Sequence, residues 1–212
     1  MTVMTDLTCT EFVEMLGSAA PTPGGGGAAS LVGAIGAGLS NMVNAITVGK
    51  PEYESVNQSV ETVYAKATAL QKRLLDLVER DALVFQTLFE TYKLPKESGP
   101  DKVYRDIMVD ERLRDCADVP LQIMRACAEV ITLHEQLVDK CPISVVSDVG
   151  CGVITCKAAL VSAQLTVLSN TRLIKDAEYV KFAEAEAQLL VDKYSPRADA
   201  VFAAVKKRIV ES

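Results

Sequence analysis

The longest regular pattern of apolar and polar positions in the chain lies between residues 52 and 92. Apolar residues recur there in alternating steps of four and three, the spacing by which a long amphipathic helix buries one seam. Charged residues such as Lys66 and Glu79 lie off this seam. The spacing therefore predicts a helix over 52–92. Its seam consists of Val56, Val60, Val63, Ala67, Leu70, Leu74, Leu77, Val84 and Leu88, with Asp81 in a position where the pattern requires an apolar residue.

Two other segments are apolar almost throughout and rich in small residues. The first covers 24–48 and begins with consecutive glycines, and the second covers 148–170. The first is long enough to cross a bilayer. However, glycine and alanine dominate it, Ser40 and Asn44 interrupt it, and it has no aromatic belt or basic flank. We therefore expect both segments to be helices buried inside the protein, and we expect no membrane partner.

The rest of the chain also shows helical patterns, at 9–18, 101–139 and 176–211. Pro120 is expected to kink or restart the second of these helices, and Pro196 to divide the third. No alternation of apolar and polar residues lasts long enough to predict a strand.

These elements together predict an all-α fold. We expect a helical bundle in which two buried, small-residue-rich helices are sheathed by long amphipathic helices, forming a single domain over residues 1–212.

Composition and charge narrow the classes of function. A chain of 212 residues with 49% apolar and 24% charged residues suits one globular domain. A net charge of −6 argues against a nucleic-acid partner. The N-terminal residues do not resemble a signal peptide, and the six cysteines form no C-x-x-C pair. We therefore expect reduced thiols in a cytoplasmic protein.

The single histidine offers little for catalysis. His134 lies in a charged helical stretch and is expected at the surface. A zinc site built from His134, Cys141, Cys151 and Cys156 is disfavoured, because their spacings match no usual pattern. No metal site is expected.

The glycine run at 24–27 has two interpretations that the sequence leaves open. Thr22 and Pro23 resemble a helix start, with Thr22 as the cap and Pro23 in the first turn. Glycines that follow such a start expose backbone N–H groups to a polar or anionic ligand. Alternatively, they simply allow neighbouring helices to approach closely. The segment matches neither the phosphate-binding loop nor the dinucleotide-binding fingerprint.

Three charged residues, one in the seam and two at the ends of the apolar segments, each have a structural and a functional interpretation. Asp81 either faces a ligand site that opens onto the seam or lies at an exposed edge, where the helix drifts from the repeat. Asp148 is either a plain helix N-cap or a member of the site. Lys50 either stabilises the C-terminus of the first apolar helix or holds an anion at the rim of a pocket.

Four segments of the chain, in order, resemble the cyclodeaminase/cyclohydrolase family. They are "APTPGGGGAASLVGAIGAGLSNMVNAITVGKPEY" at the start, "DALVFQTLFETYKLPK" at 81–96, "DVPLQIMRACAEV" at 118–130 and "VSDVGCGV" at 146–153. The family includes the cyclodeaminase domain of formiminotransferase-cyclodeaminase and stand-alone methenyltetrahydrofolate cyclohydrolases. The resemblance covers nearly the whole chain.

The resemblance implies an all-α homodimer with a folate site near the subunit interface, a tetrahydrofolate substrate, and no metal or redox cofactor. Asp148 is the implied proton acceptor, and Asp81 is expected to orient it or to relay the proton. Lys50 is expected to pair with a carboxylate of the folate or to hold one of the two acids ionised. The positions that match the family's substrate-binding residues are Gly24, Gly25, Gly26, Ser147 and Asn170. The chain departs from the family pattern at Ser144 and Thr166, which replace asparagines, and at Leu168, which replaces an arginine.

The implied activity is the reversible hydrolysis of 5,10-methenyltetrahydrofolate to 10-formyltetrahydrofolate in one-carbon metabolism. The alternative within the family is formiminotetrahydrofolate cyclodeaminase, which releases ammonia; the lack of a fused formiminotransferase domain favours the cyclohydrolase. An alternative of another class is a non-catalytic, folate-binding helical dimer.

Overall fold

The computed structural model describes residues 3–95 and 99–212, and it is helical throughout this part of the chain, with no strand. The all-α prediction is therefore confirmed. Short 3-10 helices occupy Met4–Asp6, Pro51–Val56 and Ile143–Val145. The α-helices are α1 (Cys9–Leu16), α2 (Gly25–Thr47), α3 (Asn57–Tyr92), α4 (Pro100–Leu137), α5 (Val146–Thr171) and α6 (Ala177–Val210).

Helix α3 buries the predicted seam. Every seam position from Val60 to Leu88 is buried except Asp81, which is half-buried. The helix begins at Asn57, later than predicted, because Pro51–Val56 forms a 3-10 helix after the chain turns at Gly49, whose φ is +77°. Glycine suits that position since other residues rarely adopt positive φ.

The two internal prolines do not end their helices. Helix α4 runs through Pro120, which is buried, and α6 runs through Pro196. The prediction that Pro196 divides the last helix is therefore wrong. A proline inside a helix costs about 3 kcal/mol, but α6 is packed along α5 and α4, and Arg197 binds Glu135 and Thr132 of α4 beside the proline.

Helices α2 and α5 run antiparallel and cross closely at two glycines. A Cβ at Gly36 would lie 2.9 Å from the Gly152 carbonyl oxygen and would overlap Cys156 Sγ. The room left at this crossing is filled by His134 of α4, whose Nε2 donates to the Gly36 carbonyl at 3.1 Å. His134 is fully buried, so its predicted surface location is wrong. The missing side chain of Gly152 makes space for the imidazole, and that of Gly36 allows the backbone of α5 to approach.

Helices α2 and α5 each bury one side and leave an apolar strip exposed. Ile35 is 53% exposed on α2 and Leu165 is 65% exposed on α5, with Met42 and Val161 on the same strips. Both helices are long and apolar enough to cross a membrane, but the core helix of a globular protein meets the same criterion. Helix α4 contacts α2, α3, α5 and α6, and its residues from Leu113 to Leu137 are mostly buried.

Candidate active site

A cavity of about 470 Å³ opens at the N-terminus of α2, where this helix meets α3, α4 and α5. Its floor combines the glycine run with a carboxylate from α3 and a row of polar side chains from α5. The lining residues are Pro21, Thr22, Gly24, Gly25, Gly26, Asp81, Val84, Phe85, Cys116, Ser162, Leu165, Thr166, Ser169 and Asn170.

Asp81 is the acidic group of this cavity, and it binds the first turn of α2. Its Oδ2 accepts a hydrogen bond of 2.8 Å from the Gly27 amide. Helix α2 begins at Gly25 and its N-cap is Gly24, which has no side chain to offer. The prediction that Thr22 caps the helix, with Pro23 in the first turn, is therefore wrong. The Asp81 carboxylate of α3 instead accepts a hydrogen bond from the Gly27 N–H group, which has no partner within its own helix.

The glycine run allows this approach. A Cβ at Gly26 would overlap the Asp81 carboxylate, with Oδ2 only 2.9 Å away. Further along α2, a Cβ at Gly33 would lie 2.8 Å from Cys127 Sγ. Close approach of a neighbouring helix to the run is therefore confirmed, whereas a ligand at its N–H groups stays a prediction. The first glycines admit a polar group to the backbone, and the later ones allow tight helix packing.

Burial raises the pKa of Asp81 from 3.8 to about 6, and the Gly27 hydrogen bond opposes part of that rise. Within residues 3–95 and 99–212, no lysine or arginine forms an ion pair with Asp81. A carboxylate with a pKa near 6 is ionised at neutral pH and still basic enough to accept a proton. Because no protein cation neutralises it, it also favours a positively charged ligand.

Helix α5 adds a row of hydroxyl groups that sequence reasoning missed. Ser162, Thr166 and Ser169 are spaced by four and three residues, and all three line the cavity. Asn170 continues the row, and its amide donates to the Cys116 carbonyl at 2.8 Å. The sequence signal that could have identified this row is the helical spacing of hydroxyl residues within an otherwise apolar segment.

Cys116 lies beside Asp81 but does not offer a nucleophile. Burial and the nearby Asp81 charge raise the pKa of its thiol to about 12, so the thiol stays protonated.

Three of the predicted site residues lie at the other end of the α2–α5 pair. Ser147 is exposed and Asp148 half-buried in the first turn of α5. Asp148 and Thr166 are five helical turns apart on the same side of α5, about 27 Å along its axis. Lys50 follows α2 and lines a different cavity with Glu54 and Asn57. The roles predicted for Ser147, Asp148 and Lys50 therefore stay predictions, and within one chain these residues do not reach Asp81.

Comparison with known sequences settles the family. Residues 8–189 match the family described as formiminotransferase-cyclodeaminase. The chain belongs to this family. It is 34% identical, over 93% of its length and 95% of the other chain, to the methenyltetrahydrofolate cyclohydrolase of Methylorubrum extorquens. It is 25% identical to the formimidoyltransferase-cyclodeaminase of Mus musculus over 93% of its own length, but it spans only 36% of that longer protein.

A solved crystal structure has the same fold. The crystal structure of formiminotetrahydrofolate cyclodeaminase from Thermotoga maritima superposes with a TM-score of 0.82. The two chains are 25% identical, and the match covers 98% of each.

The departures from the family pattern differ in their distance from the site. Thr166 lines the cavity, and its Oγ1 is the nearest atom to a Cβ placed on Gly25, at 3.8 Å. Ser144 is exposed in the 3-10 helix before α5, and Leu168 does not line the cavity. Among the residues described, no three His, Cys, Asp or Glu side chains are grouped to hold a metal ion.

Proposed function

We propose that this member of the formiminotransferase-cyclodeaminase family hydrolyses 5,10-methenyltetrahydrofolate to 10-formyltetrahydrofolate. The observation that supports this most is the Asp81 carboxylate, which lies in the cavity without a cationic partner among the described side chains. The cyclohydrolase of Methylorubrum extorquens, similar over nearly the whole of both chains, supports this activity over the cyclodeaminase.

The chemistry of the substrate matches such a carboxylate. The methenyl bridge is a delocalised amidinium cation, which an ionised carboxylate attracts. Water adds to the bridging carbon, and Asp81 accepts a proton from that water as the C–O bond forms. This proposal gives Asp81 the role that the family resemblance implied for Asp148, because Asp81 lines the cavity and Asp148 of the same chain does not. The C–N5 bond then breaks, the second water proton ends on N5, and the carbon stays on N10 as a formyl group. One proton leaves to the solvent, which balances the consumed cation. This addition of water needs neither a metal nor a redox cofactor.

Binding of the pterin ring falls to the polar groups around Asp81. We assign this role to the backbone of Gly24 and Gly25 and to Asn170, with Thr166 and Ser169 as further hydrogen-bonding groups. The amide of Asn170 already donates to Cys116, which leaves its oxygen free to accept from a ligand.

The enzyme is proposed to act as a homodimer through the exposed strips of α2 and α5. These strips are apolar and lie on neighbouring helices. In a two-fold dimer the same face meets itself, and with the two-fold axis perpendicular to α5, opposite ends of the two α5 helices come together. The first turn of one α5 would then lie beside the cavity of the other copy. This arrangement brings Asp148 of the partner subunit, with Lys50 of the partner subunit, towards Asp81.

The test is an assay of purified protein with two substrates. Loss of methenyltetrahydrofolate absorbance faster than in buffer alone supports the cyclohydrolase. Ammonia release from formiminotetrahydrofolate without that absorbance loss would replace it with the cyclodeaminase, an alternative that the Thermotoga maritima structure favours. Folate binding without either reaction would support a non-catalytic dimer and contradict the proposal.

A further inference from the structure

A second cavity, of about 390 Å³, lies next to the first and shares a wall with it. Pro21, Thr22 and Phe85 line both cavities. The residues that line the second cavity alone are Met4, Met15, Ala20, Gln86, Phe89 and Glu90.

We propose that this second cavity binds the p-aminobenzoyl ring of the folate substrate, with Phe85 as the wall between that ring and the pterin. This inference rests on the proposed function, because it extends the site of the same substrate. It identifies Phe89 and Met15 as residues that set affinity for the aryl half of the molecule.

The different chemistry of the two cavities assigns the two rings. The first cavity contains Asp81, Asn170 and hydroxyl groups, which suit the hydrogen-bonding edges of a pterin. The second is lined by two methionines, two phenylalanines, Ala20 and Pro21, with Thr22, Gln86 and Glu90 as its polar groups. Aromatic and thioether side chains pack well against an aryl ring. With the rings exchanged, the apolar aryl ring would lie against Asp81 and Asn170, which are the partners that suit the pterin edges.

The position of Phe85 links the two cavities to the reacting carbon. Phe85 follows Asp81 by four residues on α3, so both side chains lie on one face of the helix. In the substrate, the methenyl carbon lies between the pterin and the aryl-bearing N10. A pterin in the first cavity and an aryl ring in the second therefore place that carbon at the junction, close to Asp81. The ring of Phe85 there also favours the cationic bridge.

Among the described residues, Glu90 is the one charged residue that lines the second cavity, and it is already paired with a lysine. Glu90 is paired with Lys93 at 2.6 Å, and Lys93 lies 4.8 Å from the centre of the Phe89 ring. The anionic tail is therefore expected to extend into solvent beyond this rim.

Phe89→Ala and Met15→Ala test the assignment kinetically. Because the aryl ring contributes equally to ground-state and transition-state binding, each variant should raise the KM for methenyltetrahydrofolate about tenfold with kcat within about twofold. Phe182→Ala, a truncation of an exposed phenylalanine on α6, should match the wild type in both constants. Thermal melts of all three variants check that the fold is retained. A Phe89→Ala variant with unchanged KM in active enzyme would overturn this inference alone, whereas an inactive wild-type protein would overturn the proposed function.

A second measurement uses the absence of tryptophan from the sequence. Phe89→Trp introduces a single reporter in the second cavity, and Phe182→Trp provides the matched control. Addition of p-aminobenzoylglutamate should change the emission of Phe89→Trp saturably and leave that of Phe182→Trp unchanged. This readout does not depend on turnover. No saturable change in Phe89→Trp, or the same change in both variants, would contradict binding of the aryl ring in this cavity.

Discussion

At the scale of single residues, Asp81 and His134 respond to burial in opposite directions. Burial raises the pKa of Asp81 to about 6 and lowers the pKa of His134 from 6.5 to about 4. In the described structure the Nδ1 of His134 has no hydrogen-bond partner, so a second proton on the ring would be unsatisfied. Each residue is therefore held in a particular charge state at neutral pH: Asp81 ionised at some cost, and His134 neutral.

These two shifts predict how stability depends on pH. Between about pH 4 and 6 the unfolded chain binds more protons at His134, so this residue makes the free energy of unfolding rise with pH. The folded chain binds more protons at Asp81, so that residue makes the free energy of unfolding fall with pH. Asp81→Asn removes the falling contribution and should steepen the rise by about 1 kcal/mol per pH unit.

Urea unfolding of the wild type and Asp81→Asn at several pH values from 4 to 6.5 measures this difference. Asp76→Asn, a change of an exposed aspartate on the same helix, should follow the wild type. Parallel pH dependence in the wild type and Asp81→Asn would mean that folding does not shift the pKa of Asp81.

The sequence predicted one of these residues and not the other, for a physical reason. Asp81 stands at a seam position of a long regular helix, where an apolar residue is expected, so the spacing of the seam marked it as a candidate site residue. His134 lies in a charged stretch, and its burial depends on Gly36 and Gly152, which are distant in sequence. The space that Gly152 leaves for the imidazole, and the Gly36 carbonyl that accepts its hydrogen bond, can be identified only once the helices are packed.

At the scale of elements, the start of α2 contributes both to the packing of the fold and to the candidate active site. The helix has no capping side chain of its own and receives the carboxylate of Asp81 at Gly27. Sequence reasoning predicted a helix start and a polar site near the glycines, but it assigned the cap to Thr22. This error arose because a capping pattern considers only residues that are close in sequence, whereas the capping carboxylate here comes from another helix.

Gly26→Ala should separate activity from stability. The added Cβ overlaps the Asp81 carboxylate, which must move away from Gly27. Losing that hydrogen bond costs about 1 kcal/mol, and the better helix propensity of alanine offsets about the same amount. Stability should therefore change little, while displacement of the carboxylate should lower kcat by roughly 10²-fold.

Methenyltetrahydrofolate turnover and thermal melting of the same preparation measure both effects. Gly17→Ala is the matched control, since a Cβ there meets backbone atoms at 3.4 Å or more and the φ of Gly17 is −78°. A fully active Gly26→Ala enzyme would show that the contact between Asp81 and the glycine run is not needed for catalysis.

At the scale of the whole molecule, the predicted bundle is confirmed, but α2 and α5 are not enclosed on all sides. The sequence predicted burial from their small, apolar residues, and burial on every side would require a second chain over the exposed strips. A single sequence does not distinguish burial inside one chain from burial between two copies, because both select the same residue types. In the proposed dimer, the predicted site residues at the two ends of α5 would be brought together between two copies.

Ile35→Glu should convert the proposed dimer to monomers. A charged side chain at the centre of the α2 strip would be buried without a partner in the dimer. Sedimentation velocity of this variant should give the mass of one chain, and the wild type that of two. Leu189→Glu, at a comparably exposed apolar position on α6, should leave the dimer intact. A wild type that sediments as a monomer would contradict the proposed interface.

Mixed dimers test whether the site is shared between subunits. Asp81→Asn and Asp148→Asn homodimers should each be inactive. In a mixed dimer, one site contains both substitutions and the other contains neither, so random mixing should restore about a quarter of wild-type activity. Mixed dimers that are no more active than their parents would place both aspartates in the same chain's site or remove Asp148 from the mechanism.

The central claim is that Asp81, held at the glycine-built start of α2, accepts the proton of the attacking water. The most direct test compares the pH dependence of kcat/KM for methenyltetrahydrofolate hydrolysis in the wild type, Asp81→Asn and Asp76→Asn. The amide of Asp81→Asn retains an acceptor for the Gly27 N–H but cannot take up a proton. The account predicts a wild-type rate that falls below pH 6, an unchanged profile in Asp76→Asn, and a loss of roughly 10²–10⁴-fold in Asp81→Asn with no such fall. An Asp81→Asn enzyme with the rate and pH profile of the wild type would contradict it.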